Sequence, residues 1–253
     1  MSLSGRVALI TGGGRGIGRA IALALAEDGA DVAVNYRRDL EAARDAVTTI
    51  QGLGRKAKAF QASIDRWEED QAMVAEVLRE FGHIDILVNN AGIASRGLSV
   101  ADTDPAELER VLRTHAFAPH YLSKLVLPSM RQQPRGDIIM ISSNATLHLA
   151  AGGAPYNMGK AAMEALALTL AKEERDHGIR VNIVAPGLVE TEMGRRLVKA
   201  TQGVEDLRQI DAAMPFGHVC KPEEVAETVR FLVSQHAGYL TAQKIYVDGG
   251  ALA

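Results

Sequence analysis

Short runs rich in valine and isoleucine alternate along this chain with longer segments of helical periodicity. The strand-like runs cover 6–11, 31–36, 56–62, 84–89, 137–142, 180–184 and 244–247. The helical segments cover about 16–28, 39–52, 66–81, 104–131, 155–176 and 222–234. This alternation is typical of βαβ units, in which helices cover both faces of a parallel sheet. We therefore predict an α/β fold with one doubly wound, parallel, seven-stranded sheet in a three-layer sandwich.

The composition is that of an ordinary globular protein. Hydrophobic residues make up 47% of the 253 residues, and 28 Lys+Arg against 31 Asp+Glu give a net charge of −3. This balance argues against disorder and against nucleic-acid binding driven by bulk charge. The apolar runs are shorter than the ~20 residues that span a bilayer. We expect one domain over 1–253, a cytoplasmic location, and neither nucleic acid nor membrane as a partner.

Residues that commonly bind metals are sparse and scattered. Cys220 is the only cysteine, which excludes an intramolecular disulfide and a cysteine-rich zinc site. His120 and His148 have no partner at metal-ligand spacing, so no metal is expected. The stretch 187–221 fits neither strand nor helix periodicity, and irregular segments of this length are usually functional. We expect a substrate lid at about 188–214.

A glycine-rich turn directly follows the first predicted strand. It has the pattern T-G-x-x-x-G-x-G from Thr11 to Gly18, which differs from the common G-x-G-x-x-G. Such a turn lets a pyrophosphate approach the backbone at a helix amino end, where unpaired N–H groups and the macrodipole attract anions. The turn predicts a dinucleotide site, and a tight turn without a ligand is the alternative. The predicted contacts are Gly12, Gly14, Arg15, Gly16, Ile17 and Gly18.

The end of the second predicted strand indicates which dinucleotide is bound. An NAD site would place a carboxylate there, on the ribose hydroxyls. This chain has Tyr36, Arg37 and Arg38 instead. A guanidinium group pairs well with a 2′-phosphate, and Arg15 is available from the glycine turn. We expect NADP(H) to be preferred and NAD(H) to be possible, and a solvated charge run is the alternative.

A tyrosine and a lysine lie near the start of the 155–176 helical segment. Tyr156 and Lys160 are four residues apart and therefore share one helix face. A phenol of pKa ~10 needs a nearby cation to exchange protons at neutral pH. Ser143 follows the fifth predicted strand, where its hydroxyl can hold a carbonyl or alcohol oxygen. These side chains predict an acid–base site, although a Tyr-x-x-x-Lys pair alone is common on helix surfaces.

Together these motifs resemble those of the short-chain dehydrogenase/reductase family, whose domain is a Rossmann-like sandwich. The matching residues, in family order and spacing, are Thr11, Gly12, Gly16, Gly18, Asn89-Asn90-Ala91-Gly92, Ser143, Tyr156, Lys160, Pro186-Gly187 and Thr191. The resemblance implies that Tyr156 is the general acid/base and that Ser143 positions the reacting oxygen. It also implies that Lys160 lowers the tyrosine pKa and holds the nicotinamide ribose.

The resemblance implies further cofactor contacts beyond the glycine turn. Asn89 and Asn90 are expected to brace the central strand, and Thr191 to contact the nicotinamide carboxamide. The remaining implied contacts are Ser63, Ile64, Asn90, Ala91, Gly92, Tyr156, Lys160, Pro186, Gly187 and Val189. The reaction would pass a hydride between the nicotinamide and a carbon that is a ketone or a secondary alcohol.

Three positions depart from the family pattern. His115 stands where the family usually has an asparagine that helps hold a proton path to Lys160. Histidine can itself relay a proton, or it can be a hydrogen-bonded interior residue beside an altered path. Ser63 replaces an aspartate that many relatives place beside the adenine, and Ala242 replaces a common glycine.

The resemblance is strongest to bacterial 3-oxoacyl-[acyl-carrier-protein] reductases, which use NADPH and are usually homotetramers. A carrier protein is acidic, so its docking needs basic residues near the site. Arg175, Arg195, Arg196 and Lys199 are candidates, but His177 stands where the family has an arginine. The alternatives are a dehydrogenase of a sugar, polyol, steroid or other secondary alcohol, or an NADP(H)-binding redox sensor without turnover.

Overall fold

The computed structural model describes residues 2–251 and contains one sheet of seven parallel strands. The strands are β1 (Val7–Ile10), β2 (Asp31–Tyr36), β3 (Ala57–Gln61), β4 (Ile86–Asn89), β5 (Gly136–Ile141), β6 (Ile179–Pro186) and β7 (Lys244–Val247). Their order is β3-β2-β1-β4-β5-β6-β7. The predicted doubly wound sheet is confirmed. The order reverses between β1 and β4, so the loops that follow these strands diverge and leave a crevice at the carboxyl edge.

Nine α-helices connect the strands within the described residues. They are α1 (Gly16–Glu27), α2 (Leu40–Gly52), α3 (Trp67–Phe81), α4 (Pro105–Leu112), α5 (Ala118–Met130), α6 (Ala145–His148), α7 (Ala154–Glu174), α8 (Glu192–Gln202) and α9 (Pro222–Leu232). The predicted helix over 104–131 is interrupted by a π-helical turn at Arg113–Phe117. Such turns are frequent at functional sites.

The core lies on both faces of the sheet. One cluster of buried side chains joins the sheet to α1 and α9, and a second joins it to α3, α5 and α7. All eight residues of β6 are buried. Burial on two faces explains why these strands appear in the sequence as continuous apolar runs rather than as alternating patterns. No helix in the described part of the chain is both long and apolar enough to cross a membrane.

The expectation that residues 187–221 are irregular is partly wrong. It contains α8, followed by 3₁₀ turns at Leu207–Ala213 and Pro215–Gly217. Helix α8 buries only Gly194 and Val198, and its larger apolar side chains Met193 and Leu197 are exposed, so it contributes little to the core. This segment packs a small cluster of its own around Val198, Leu207 and Val219.

Asp65 and Glu68 have the spacing of a capping pair before α3, but the pair does not form. Helix α3 begins at Trp67 after Arg66, which makes no side-chain capping bond. Asp65 instead accepts a hydrogen bond from the Ser63 hydroxyl at 2.6 Å. Pro222 occupies the first turn of α9, where its missing N–H removes no helical hydrogen bond.

Ala242 shows why glycine is common at its position. Its φ is +58°, in the left-handed region that side chains rarely adopt. Its N–H donates to the Val181 carbonyl oxygen at 2.8 Å, which holds the backbone there. Such a conformation costs about 1 kcal/mol or more in a residue other than glycine.

Candidate active site

The glycine turn forms a backbone cradle at the amino end of α1. Gly12 and Gly16 adopt φ values of +62° and +53°. A Cβ added at Gly18 would lie 2.3 Å from the Gly12 carbonyl oxygen, so only glycine fits there. Arg15 precedes the helix in an extended conformation, and its side chain makes no capping bond. The first N–H groups of α1 are therefore not capped by a side chain and can bind an anion.

Two strands hold this cradle in place. The Thr11 hydroxyl accepts hydrogen bonds from the N–H groups of Asn90 and Ala91, both at 2.9 Å. The Asn90 side chain donates to the Thr11 carbonyl oxygen at 2.8 Å. The structure thus brings the predicted Asn90-Ala91 segment against the glycine turn. This contact joins the ends of β1 and β4 on the two sides of the crevice.

Asn35 is a positioning residue that sequence reasoning missed. It lies in β2, is buried, and accepts a hydrogen bond from the Gly12 N–H at 3.2 Å. Its amide group donates to the Ala62 carbonyl oxygen at 3.2 Å. The available signal was one amide side chain within an apolar strand. A buried amide needs partners, and here these are the cradle and the end of β3.

The predicted adenosine-side residues lie at the ends of β2 and β3. Tyr36 is half-buried, whereas Arg37 and Arg38 are exposed and make no ion pair within residues 2–251. Arg15 has only a 4.0 Å contact with Asp39. These guanidinium groups are therefore available to an anionic ligand.

Ser63 and Ile64 follow β3 at the same edge. Ile64 is buried, which leaves little of its side chain available for contact with a base. The Ser63 hydroxyl donates to Asp65, and its N–H donates to Glu69 at 2.7 Å. Both donors of Ser63 are therefore used within the protein, and its hydroxyl oxygen keeps only the capacity to accept.

The structure brings the three predicted catalytic side chains together at the carboxyl ends of β5 and the start of α7. Lys160 is 3% exposed, and its Nζ donates to the Ile141 carbonyl oxygen at 2.7 Å. The Nζ atom lies 5.7 Å from the centroid of the Tyr156 ring. Burial raises the pKa of the Tyr156 phenol, and a hydrogen bond with Ser143 lowers it. Burial is the larger effect, so the phenol is protonated at neutral pH and can act as a proton donor.

The charge on Lys160 is finely balanced. Burial lowers the pKa of its ammonium group to about 7, and the negative charge of Glu164 acts in the opposite direction. At neutral pH this lysine can therefore gain or lose a proton, as an acid–base site requires.

His115 lies within the π-helical turn and beside the catalytic tyrosine. Its ring meets the Tyr156 ring at 79° with centroids 5.2 Å apart, and its Nε2 is 2.7 Å from the Ile93 carbonyl oxygen. Burial and the nearby Lys160 lower its pKa to about 3, so the ring is neutral. With Nε2–H donating to Ile93, Nδ1 is an acceptor, and it has no partner among the described residues.

Glycines lie on both sides of His115, with Gly92 against its imidazole ring and Gly159 against its Cβ. A Cβ added at Gly92 or at Gly159 would lie 2.8 Å from His115 atoms. The predicted Gly92 therefore makes room for this ring. No local sequence signal relates positions 92, 115 and 159, since three separate elements supply them.

The remaining predicted cofactor contacts follow β6. The Pro186 carbonyl oxygen accepts from the Asn144 N–H at 2.9 Å, and Val189 pairs with Cys220. Thr191 caps α8 by accepting from the Gly194 N–H at 3.1 Å. The Thr191 methyl group would lie 3.2 Å from a Cβ added at Gly16, so Thr191 borders the cradle. At Gly187, an added Cβ would lie 2.9 Å from the Asp248 side chain.

A surface cavity of about 400 Å³ lies beside the catalytic cluster rather than within it. Its wall is mainly apolar and includes Val100, Leu149, Ala154, Met158 and Ala161. Within residues 2–251, no group of three or more His, Cys, Asp or Glu side chains is arranged to hold a metal ion.

Comparison with known proteins decides the family. A family model described as "Enoyl-(Acyl carrier protein) reductase" matches residues 12–251. Human "Dehydrogenase/reductase SDR family member 4" is 35% identical over 248 residues, which cover 98% of this chain and 88% of that protein. This chain belongs to the short-chain dehydrogenase/reductase family. The family resemblance and the predicted oxidoreductase class are confirmed.

Other members of the short-chain dehydrogenase/reductase family are similarly close. The 3-oxoacyl-[acyl-carrier-protein] reductase of Staphylococcus epidermidis is 37% identical over 244 residues, covering 96% of this chain and 97% of that protein. A short-chain dehydrogenase from Burkholderia cenocepacia, solved in complex with NADP, has a TM-score of 0.90 and 35% identity over the whole of both chains.

The residues present fit the nicotinamide dinucleotide of a short-chain dehydrogenase/reductase. The cradle at Gly18 has no room for a side chain, and the amino end of α1 has no acidic side chain in its first turn. Three arginines surround the end of β2 without a close carboxylate partner. A negatively charged pyrophosphate and a phosphate on the ribose are therefore suited to this edge of the sheet.

Proposed function

We propose that this protein is an NADP(H)-dependent oxidoreductase that interconverts a ketone and a secondary alcohol. The observation that carries the proposal is the buried Lys160 ammonium group 5.7 Å from the Tyr156 ring centroid, with the Ser143 hydroxyl close enough to lower the pKa of the same phenol. The groups that exchange the proton are thus assembled at one edge of the sheet. The bound dihydronicotinamide would supply the hydride to the carbonyl carbon.

In this proposal each catalytic side chain has one role during reduction. The Tyr156 phenol donates its proton to the carbonyl oxygen as that oxygen gains the electron pair of the C=O bond. The Ser143 hydroxyl donates a hydrogen bond to the same oxygen and stabilises its growing charge. The Lys160 ammonium group stabilises the phenolate that remains. In the reverse direction, the phenolate takes the proton of the alcohol.

We propose that Arg37 selects the phosphorylated cofactor. Arg37→Ala should raise the KM for NADPH by about 10- to 100-fold, since a hydrogen bond to a charged group contributes about 1.5–3 kcal/mol. The efficiency with NADH should stay unchanged, because NADH lacks the 2′-phosphate. Steady-state kinetics with both cofactors measure these effects.

Arg79→Ala is the matched control for Arg37. Arg79 is in the last turn of α3, which leads into the amino end of β4 at the opposite edge of the sheet. This variant should keep the wild-type preference. Equal efficiency of the wild-type enzyme with NADPH and NADH would contradict the role of Arg37.

We propose that His115 acts as a neutral, hydrogen-bonded interior residue. Its low pKa argues against a relay through a charged imidazole at neutral pH, while its free Nδ1 can accept a hydrogen bond. His115→Asn should keep or raise turnover, because asparagine also offers a donor and an acceptor. Turnover as low as that of Tyr156→Phe would show that the imidazole itself moves the proton.

The substrate proposal rests on the cations of the lid. Arg195 and Arg196 pair with Glu192 at 2.6 Å and 2.8 Å, and Lys199 pairs with Glu205 at 2.7 Å. Cations that already pair with carboxylates of the lid are less available for recognising an acidic carrier protein. We therefore favour a free ketone or secondary alcohol over a carrier-bound thioester. A 3-oxoacyl thioester is the second candidate substrate, because this chain is similar to the 3-oxoacyl-[acyl-carrier-protein] reductase of Staphylococcus epidermidis.

Loss of NADPH absorbance tests the proposed function. The panel contains acetoacetyl thioesters in free and carrier-linked form, diketones, aldoses and keto-steroids. We expect turnover of at least one free ketone, with no gain from the carrier. A strong preference for the carrier-linked thioester would overturn the free-substrate proposal. Tight NADPH binding without turnover of any compound would support a redox sensor instead.

We also propose a homotetramer and a substrate lid. Side chains of the π-helical turn, α5 and α7 line a shallow cavity of about 330 Å³ formed by Ala116, Phe117, His120, Tyr121 and Leu166, of which Phe117 is an exposed aromatic residue. A second copy of this chain would cover this face, and sedimentation measures the assembly directly. The lid would comprise α8 and the following 3₁₀ turn, whose separate small cluster permits movement relative to the sheet.

A further inference from the structure

Glu164 lies one helical turn beyond Lys160 in α7. Its side chain is 15% exposed and makes three contacts with other elements. One carboxylate oxygen, Oε1, accepts from the Ser142 hydroxyl at 2.5 Å and from the Thr146 hydroxyl at 3.0 Å. The other, Oε2, accepts from the Lys244 ammonium group at 2.8 Å. A carboxylate with this many specific partners is held in one position, unlike a solvated carboxylate on the protein surface.

The partners of Glu164 stand on both sides of Ser143 in the chain. Ser142 directly precedes Ser143, and Thr146 lies in α6, the short helix that follows it. The Thr146 hydroxyl also lies 3.0 Å from the Ser143 carbonyl oxygen. Lys244 in β7 donates to the Thr146 hydroxyl at 2.6 Å, which closes the network. Glu164 therefore ties the segment that carries Ser143 to the helix that carries Tyr156 and Lys160.

Four titratable side chains surround Lys160 in this part of the fold. Tyr156 and Glu164 lie one turn before and one turn after it in α7. His115 approaches from the π-helical turn and is neutral. Lys244 approaches from β7 on the far side of Glu164. The carboxylate is therefore the only anionic group among them that opposes the loss of charge from the buried lysine.

We propose that Glu164 is a positioning residue for the reaction, which aligns Ser143 with Tyr156 and places a negative charge behind the Lys160 ammonium group. Lys244 is its partner and holds the carboxylate in place. This inference rests on the proposed function, because it concerns the same site. It adds two residues that lie outside the Ser143, Tyr156 and Lys160 set.

The pH dependence of ketone reduction gives the sharpest test. Glu164→Gln keeps the size of the side chain but removes its charge, so Lys160 should lose its proton at lower pH. In a plot of kcat against pH, the basic limb should then shift to lower pH by roughly one unit. At the optimum, kcat should fall about tenfold through loss of alignment. At pH values where Lys160 keeps its proton, the KM for NADPH should stay within a few-fold of wild type, since Arg37 and the cradle are untouched.

Lys244→Gln is a second variant with an effect of opposite sign. It removes a cation and leaves the Glu164 carboxylate without its ion pair, so the basic limb should move to higher pH. Glu173→Gln is the matched control, because Glu173 is exposed on the same helix. This variant should retain the wild-type profile. Melting temperatures establish that each variant is folded.

The outcomes separate this inference from the proposed function. A wild-type enzyme without ketone turnover would contradict the proposed function itself. An active wild-type enzyme and a folded Glu164→Gln variant with the same basic limb would overturn the inference. Shifts of both variants in the same direction would also overturn it, since opposite charges must act with opposite sign.

Discussion

Tyr156→Phe should lower kcat by about a thousandfold, within the 10²–10⁴ range that general acid–base groups contribute. The variant loses only the phenolic oxygen, so no group at this position can donate a proton to the carbonyl oxygen. The ring itself remains packed edge-to-face on His115, with centroids 5.2 Å apart. The fold and the cofactor cradle should therefore be preserved.

Two measurements complete the Tyr156 test. NADPH binding, followed by fluorescence titration, should stay within a few-fold of wild type. Tyr239→Phe is the control, because Tyr239 is fully exposed and lies far along the chain from the catalytic residues. It should show normal turnover. A Tyr156→Phe enzyme that keeps a tenth of wild-type activity would require a different proton donor.

Asp137→Asn should lower the free energy of unfolding by about 3–5 kcal/mol, the typical cost of breaking a buried ion pair. The Asp137 side chain is 1% exposed and forms ion pairs with Arg6 at 2.8 Å, with Arg135 at 2.9 Å and with Arg180 at 2.6 Å. An asparagine would leave three guanidinium groups crowded around a neutral amide. Urea denaturation measures the change.

Asp45→Asn is the matched control for Asp137. Asp45 makes one ion pair with Arg19 at 2.9 Å, and its side chain is 68% exposed. Exposed pairs contribute under about 1 kcal/mol, so this variant should unfold at nearly the wild-type denaturant concentration. Equal losses for the two aspartates would mean that burial does not govern the strength of these ion pairs.

The strand and helix alternation was predictable because it depends on local periodicity. Buried parallel strands such as β1 and β6 appear as continuous apolar runs, and the glycine turn follows directly from its spacing after β1. Tyr156 and Lys160 could be paired from sequence because a four-residue spacing places two side chains on one helix face. Helix α8 was missed because it contributes few residues to the core.

The role of His115 could not be decided from the sequence. Both a proton relay and an interior residue are compatible with a histidine at that position. The choice depends on the Ile93 carbonyl oxygen and on the space at Gly92 and Gly159, which three separate segments supply. These neighbours make the ring buried and neutral.

By itself, the sequence determined the doubly wound sheet, the phosphate-binding turn and the spacing of the catalytic tyrosine and lysine. Each of these is encoded within one helix, strand or turn, where periodicity and residue type suffice. Only the tertiary structure decided the partners of Glu164 and Asp137, which come from positions as distant as Lys244 and Arg6. The physical reason is that hydrogen bonds and burial depend on distance in space. The residues next to Glu164 or Asp137 in the chain do not indicate which remote side chain will contact it.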